Sequence, residues 1–89
     1  MEKTRVIKLL AKAYAIEILK ALNGGTLRFI DLKGYCPNDR TRAMRLKELK
    51  RMGFIITIIK EVKEHNYIHY QITEKGRKAF ELVNELENL

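Results

Sequence analysis

The stretch from Asn38 to Gly53 constrains the fold of this chain more than any other, because its residues mark both ends of one short helix and give that helix a strong positive charge. Six Lys/Arg residues stand against two Asp/Glu residues within it, a net charge of +4. Asn38 is a favourable N-cap, Asp39 suits the positive end of the helix dipole, and a glycine favours helix termination. Such a helix needs an anionic partner, and a phosphate backbone is the obvious one.

Helical periodicity also precedes this segment. Apolar residues recur at spacings of three and four, which predicts one long helix or two abutting helices over residues 3–22. Asn23-Gly24-Gly25 ends that pattern, and residues 26–28 suit a very short strand. Residues 29–34 allow one or two turns of a second helix, which glycine ends, so the basic helix over 38–52 is the next element in order.

The residue pattern changes to β-branched after Gly53. Residues 54–62 read as a strand, Lys63-Glu64-His65-Asn66 as a polar turn and 67–72 as the returning strand, so a hairpin covers 54–73. Helical spacing then resumes over 74–88. We therefore predict a mainly α protein with a small β-hairpin (α+β), a single winged helix-turn-helix domain over 1–89 with extra terminal helices.

Charge and composition exclude several classes of protein. Residues 1–60 carry fourteen Lys/Arg and five Asp/Glu, whereas residues 61–89 carry four and six, so the basic part is the predicted binding part. One cysteine and two histidines do not make a four-ligand zinc site, and no phosphate loop or catalytic set is evident. We therefore expect that the protein is not an enzyme and that it binds no cofactor, metal or small-molecule ligand. The absence of a long apolar run or signal-peptide core predicts no membrane contact and a cytoplasmic, nucleoid-associated protein.

A helical wheel divides the basic helix into two faces. Leu46, Leu49 and Gly53 share the side that suits a core. The opposite side carries Arg40, Met44, Lys47 and Arg51, with Thr41 at its edge. The first turns are expected at base edges and the later ones at phosphates, with the hairpin beside them. The predicted DNA-binding residues are Asn38, Arg40, Thr41, Met44, Lys47, Arg51, Lys60 and Lys63.

Arg42 does not fit this division, because it falls on the side of Leu46 and Leu49. A buried guanidinium without a partner would be very unfavourable. Its side chain either extends past the first turn into water or pairs with a carboxylate such as Asp31, and we expect the first. His65 and His69 are expected on the surface of the hairpin, and Cys36 as a small apolar turn residue.

The terminal helices carry more apolar surface than a small core can cover. Such stripes usually mark an interface, so we predict a homodimer, although an extra strut packed within the monomer would explain the same pattern. The predicted dimer-interface residues are Val6, Leu9, Leu10, Phe80, Val83 and Leu86.

Four segments resemble the HxlR family of winged-helix transcriptional regulators, and more loosely MarR, PadR and ArsR regulators. In chain order they are ILKAL at 18–22, RFIDL at 28–32, RLKELKRMGF at 45–54 and IHYQITEKG at 68–76. The resemblance implies a homodimer that binds double-stranded DNA and regulates transcription, with its dimer held by the terminal helices. It also implies that 38–47 is the front of the recognition helix and that Lys60, Lys63 and His65 lie at or near the wing.

Two positions depart from the HxlR pattern. Tyr14 stands where tryptophan is usual, and the N-terminal cysteine of several redox-sensing members is absent, which argues against redox sensing by that route. Two other functions fit the same charge: a structural DNA-coating or chromatin protein that does not read sequence, and a winged-helix module whose basic face meets an acidic protein. A steep salt dependence without sequence preference would identify the first, and failure to bind any duplex would favour the second.

Overall fold

The computed structural model describes residues 4–89 as five helical segments and one antiparallel hairpin. This is the predicted winged helix-turn-helix class, mainly helical with a two-stranded wing. The elements are α1 (Arg5–Ala11), α2 (Ala15–Asn23), a short 3-10 helix (Ile30–Gly34), α3 (Asp39–Arg51), β1 (Ile55–Val62), β2 (His65–Ile72) and α4 (Glu74–Glu87).

The N-terminal segment is a pair of helices. Lys12 is extended and Tyr14 has a left-handed backbone with φ of 70°, so the chain turns sharply between α1 and α2. A left-handed residue interrupts a right-handed helix, so the apolar stripe predicted in this segment is divided between two helices. The predicted start at residue 3 lies outside the described residues.

The short strand predicted at 26–28 is reduced to a single bridge. Leu27 exchanges two backbone hydrogen bonds with Tyr70 of β2, at 3.2 and 2.7 Å, and thereby ties the segment after α2 to the hairpin. The second helix of the motif is a 3-10 helix rather than an α-helix, and its Leu32 is fully buried.

The hairpin turn is shorter than the predicted four residues. His65 and Asn66 belong to β2, where they pair with Val62 and Glu61 of β1. The turn itself consists of Lys63 and Glu64, with φ of 51° and 70°. Two successive left-handed residues are the geometry of a two-residue hairpin loop, in which Asn-Gly would be the usual sequence, so the prediction of a longer turn was wrong.

Thr73 caps the start of helix α4, and Gly76 allows the helix to approach Phe54, the residue before β1. The Thr73 hydroxyl accepts a hydrogen bond from the Gly76 amide and donates one to the Gly53 carbonyl. A Cβ on Gly76 would lie 2.1 Å from the Phe54 carbonyl oxygen. The glycine is therefore required by close packing of α4 on the chain that follows α3.

One hydrophobic core joins all the elements. It is built mainly from α2, the inner side of α3 and the base of the hairpin, with one residue each from α1, the 3-10 helix and α4. Its fully buried members include Ile18, Leu19, Leu32, Leu49 and Ile55. The distal part of the hairpin extends beyond this core, since residues 59–68 are exposed. The core thus fixes α3 and leaves its outer side and the wing in solvent.

Candidate nucleic-acid interface

The N-terminus of α3 is fixed by its own cap. The Asn38 side-chain oxygen accepts a hydrogen bond from the Thr41 amide at 2.9 Å, and Asp39 follows in the first turn. This bond satisfies one of the amides that a helix start leaves without a partner. Asn38 therefore has its oxygen occupied by the cap, whereas Arg40 in the first turn is exposed.

The two sides of α3 differ in burial in the way that the helical wheel predicts. Leu46 and Leu49 are 2% and 0% exposed, whereas Met44 on the opposite side is 51% exposed. Arg40, Lys47 and Arg51 are exposed too, and within residues 4–89 they make no hydrogen bond or ion pair. Thr41 is half-buried at the edge of this face. We call Arg40, Thr41, Met44, Lys47 and Arg51 the outer face of α3.

Arg42 is buried, contrary to the prediction that it extends into water. Only 2% of its side chain is exposed, and its guanidinium donates to the Cys36 carbonyl at 2.9 Å, pairs with Asp39 and lies 4.2 Å from the centre of the Phe29 ring. The alternative of a carboxylate partner holds, but that partner is Asp39. Asp31, named as the example, instead accepts from Arg28, whose backbone amide does most to hold the pKa of Asp31 below its usual value.

Two further cations of α3 are engaged within the monomer. Arg45 donates to the Ala13 carbonyl at 2.8 Å and to Glu48 at 2.9 Å, so it ties α3 to the turn between α1 and α2. Glu48 also accepts from Lys12, and this bond is the main reason that the pKa of Glu48 is lowered. Lys50 donates to Thr57 of β1. Of the six cations in the basic segment, three remain on the outer face of α3.

The two lysines predicted at the wing occupy different places. Lys63 is exposed in the turn, whereas Lys60 donates to the Thr26 hydroxyl at 3.0 Å. Because side chains alternate along a strand, Lys60 and Thr57 lie on different faces of the sheet, and Thr57 is the residue that accepts the hydrogen bond from α3. The structure therefore does not bring Lys60 to the side of the hairpin that faces α3. The distal residues on that side include Ile59 and Ile68, an exposed cross-strand pair that the sequence did not single out.

The two histidines expected on the hairpin surface and the cysteine expected in the turn differ in their burial. His65 is exposed as expected, but His69 is only 8% exposed and its Nδ1 lies 3.1 Å from the Tyr67 carbonyl oxygen. The expectation for His69 was wrong because β2 crosses the base of the core, where Tyr70 bridges to Leu27. Cys36 is fully buried, and burial raises the pKa of its thiol. Such a thiol is a poor nucleophile.

The six predicted dimer-interface residues fall into two groups. Leu9 and Phe80 are 5% and 9% exposed and belong to the core of the monomer, so little of either is available to a partner. The other four line a cavity of about 480 Å³ between α1 and α4, the terminal groove. It is lined chiefly by Val6, Ile7, Leu10, Leu82, Val83 and Leu86. Ile7 and Leu82 were missed, although both lie among the apolar residues of the terminal helices.

No group of three His, Cys, Asp or Glu side chains within residues 4–89 is placed to hold a metal ion. None of the helices described is long and apolar enough to cross a bilayer.

The fold is shared with solved transcriptional regulators. The reduced form of YodB from B. subtilis is 25% identical, with 92% of this chain and 81% of that chain covered at a TM-score of 0.81. The repressor BigR from Xylella fastidiosa is also 25% identical, with 93% and 77% covered at 0.70. B. subtilis PadR, solved in complex with operator DNA, shares the fold at 20% identity and a TM-score of 0.67, with 79% and 45% covered.

No curated protein sequence matches this chain. The family model described as HxlR-like helix-turn-helix matches residues 9–89, which is nearly the whole chain. This match agrees with the resemblance noted in the four sequence segments and with the order of helices and wing. It also identifies a family of regulators rather than of enzymes. The chain belongs to the HxlR-like helix-turn-helix family of DNA-binding transcriptional regulators.

Proposed function

We propose that this regulator binds an operator as a homodimer, with the first half of α3 in the major groove and the hairpin against the adjacent backbone. The observation that carries the proposal is the outer face of α3. Its three cations have no partner within residues 4–89, and Leu46 and Leu49 hold the opposite side of the helix in the core. A rigid helix with outward cations suits a groove that is wide enough to admit it.

Residues on the outer face of α3 are assigned by their position along the helix. Arg40 and Thr41 in the first turn and Met44 in the second face base edges in this arrangement, whereas Lys47 and Arg51 approach phosphates. An arginine can donate two hydrogen bonds to guanine in the major groove, and an apolar side chain can contact the thymine methyl group. PadR, a regulator of the same fold, was solved on operator DNA, which supports this use of the fold.

The hairpin has a smaller role than α3 in the proposal. Lys63 remains available at the turn, whereas Lys60 is bonded to Thr26 on the sheet face away from α3. The neighbouring carboxylates Glu61 and Glu64 offset their charge. We therefore assign most of the affinity to α3, with Lys63 as the wing residue that contacts phosphate.

Selection of bound sequences from a random DNA pool tests sequence reading. We expect an enriched palindromic motif with half-sites about one helical turn apart, bound about 10³-fold more tightly than random DNA. Arg40→Ala should weaken binding to the motif much more than binding to random DNA. Lys20→Ala, which removes an exposed cation of α2, is the matched control and should change neither.

Three outcomes would contradict this assignment. A pool without any enriched motif, together with a steep loss of affinity in salt, would indicate a general DNA-coating protein. An equal loss on both DNAs for Arg40→Ala would make Arg40 a phosphate contact rather than a base-reading residue. Failure of the unaltered protein to bind any duplex at low salt would reject DNA binding and favour a protein partner.

The terminal groove supports the homodimer. Ile7 and Leu86 are 69% and 66% exposed at its rim, and the described residues of its lining are apolar apart from Lys75 and Lys78. A chain of this size buries only about 60% of the surface that its unfolded form exposes, so a second copy that covers the groove would add to a small core. Pairing α1 and α4 with their symmetry mates would give the two α3 helices the two-fold relation that a palindrome requires.

Solution mass measurement of matched variants tests the dimer. Leu86→Glu places a charge in the terminal groove and should shift the protein toward the monomer. Ile30→Glu is the control, because Ile30 is also 66% exposed but lies on the 3-10 helix away from the groove. A monomeric mass for the unaltered protein at micromolar concentration, or equal effects of the two changes, would contradict the proposed interface.

A further inference from the structure

A second cavity, of about 310 Å³, lies between α1 and the last turn of α3. Helix α1 gives different residues to the two cavities, since the terminal groove takes Val6, Ile7 and Leu10 and this cavity takes Arg5, Lys8 and Leu9. We call it the cationic cleft. The described residues that line it are Arg5, Lys8, Leu9, Lys12, Glu48, Arg51 and Met52.

Among the described residues that line the cationic cleft, the one carboxylate, Glu48, does not neutralise the cations. Glu48 pairs with Lys12. It also accepts a hydrogen bond, at 2.9 Å, from Arg45, a residue that does not line the cleft. The lowered pKa of Glu48 agrees with a carboxylate that stays ionised between these two cations. Arg5 and Arg51 have no ion pair with any carboxylate in residues 4–89, so the cleft keeps an excess of positive charge.

The floor of the cleft is apolar. Met52, which is half-buried, supplies most of it, since only 5% of Leu9 is exposed, and the other described lining residues are charged. Such a combination suits an organic anion, whose charged group meets the cations and whose apolar part covers the floor. A DNA phosphate would leave the floor uncovered. The cleft also lies at the end of α3, about 16 Å along the helix axis from Arg40 in the first turn.

We propose that the cationic cleft binds a small organic anion, a phosphate monoester or a carboxylate that carries an apolar group. The ligand bridges α1 and α3, because Arg5 and Arg51 reach it from the two helices. Arg51 also belongs to the outer face of α3, so a bound anion withdraws one cation from DNA. This last effect rests on the proposed function, whereas binding of the anion does not.

Titration with phenyl phosphate at constant ionic strength tests the site, with backbone amide shifts in ¹H–¹⁵N spectra as the readout. We expect saturable shifts concentrated on α1 and the end of α3. Arg5→Gln should weaken binding about tenfold, since a hydrogen bond to a charged group is lost. Lys20→Gln, which removes an exposed cation outside the cleft, should leave binding unchanged. Phenol should bind far more weakly, because it lacks the charge.

Three results would overturn the proposal. The first is the absence of saturable shifts with phenyl phosphate. The second is equal binding of sulfate together with no effect of Arg5→Gln, which would mean unspecific anion attraction. The third is a loss of affinity for a short duplex in Arg5→Gln without phenyl phosphate binding, which would make the cleft a DNA contact. Failure of the unaltered protein to bind any duplex would reject the proposed function and leave the phenyl phosphate result to decide the cleft.

Discussion

Arg42 offers the sharpest test of how α3 is held in place. Its guanidinium connects Phe29, the Cys36 carbonyl and Asp39, and so joins the residue before the 3-10 helix, the turn and the start of α3. A hydrogen bond from a charged donor contributes about 1.5–3 kcal/mol, and a desolvated cation–π contact about 2 kcal/mol. Removing the charge also relieves its desolvation, which offsets part of that sum. We therefore expect Arg42→Ala to lower the free energy of unfolding by about 3 kcal/mol.

Urea denaturation followed by far-UV circular dichroism measures this loss. All variants are compared at one protein concentration, because dimerisation would stabilise the folded state by mass action. Arg42→Met keeps most of the buried volume and removes the charge, so it should lose only about 1–2 kcal/mol. Asp39→Asn keeps a hydrogen-bond acceptor for the guanidinium and should lose less than Arg42→Ala. For a domain of this size a loss of about 3 kcal/mol lowers Tm by more than about 12 °C.

A result near zero would refute this reasoning. If Arg42→Ala stays within about 0.5 kcal/mol of the unaltered protein, the effect is that of an ordinary surface substitution. The side chain would then lie in water, as the sequence pattern first indicated. A loss for Arg42→Met as large as that for Arg42→Ala would instead mean that the polar bonds, rather than packing, account for the whole effect.

Two further predictions concern α4 and the charge pair at the end of α1. Gly76→Ala should destabilise the protein by about 2–3 kcal/mol in thermal unfolding, because the new Cβ meets the backbone of Phe54, which cannot turn aside as a side chain can; an unchanged Tm would contradict the close approach. Glu48 has a lowered pKa, so its pairing stabilises the fold above the unfolded-state value near 4.5 and is lost as the pH falls through the folded value. When the pH is lowered from about 6 to about 3, the free energy of unfolding of the Glu48→Gln variant should therefore fall less than that of the unaltered protein. Parallel pH profiles of the two proteins would contradict this prediction.

Local patterns predicted most of the helices and the strands. The cap at Asn38, the apolar spacing of Leu46 and Leu49 and the β-branched run after Gly53 are read along the chain, because they depend on neighbours within a few residues. The same spacing predicted the outer face of α3. Turn length was less certain from sequence, since Lys63 and Glu64 adopt left-handed backbone without the residues that usually mark it.

The partners of individual side chains could be identified only from the tertiary structure. Nothing along the chain shows that Arg45 reaches the Ala13 carbonyl, that Lys12 reaches Glu48 or that Lys60 reaches Thr26, because each pair is separated by more than 30 residues. These contacts remove cations from the surface that charge counting had assigned to DNA. The burial of His69 likewise follows from the bridge at the base of the hairpin.

The sequence by itself determined that this chain forms a winged helix-turn-helix with a basic recognition helix. Periodicity, helix caps and charge depend only on residues that are close together in the chain, and the four segments that resemble the family occur in the family's order. Only the tertiary structure decided which cations face outward. Arg42 turned inward because Phe29, Cys36 and Asp39 meet around it, and a guanidinium surrounded by such partners is stable where an isolated one is not.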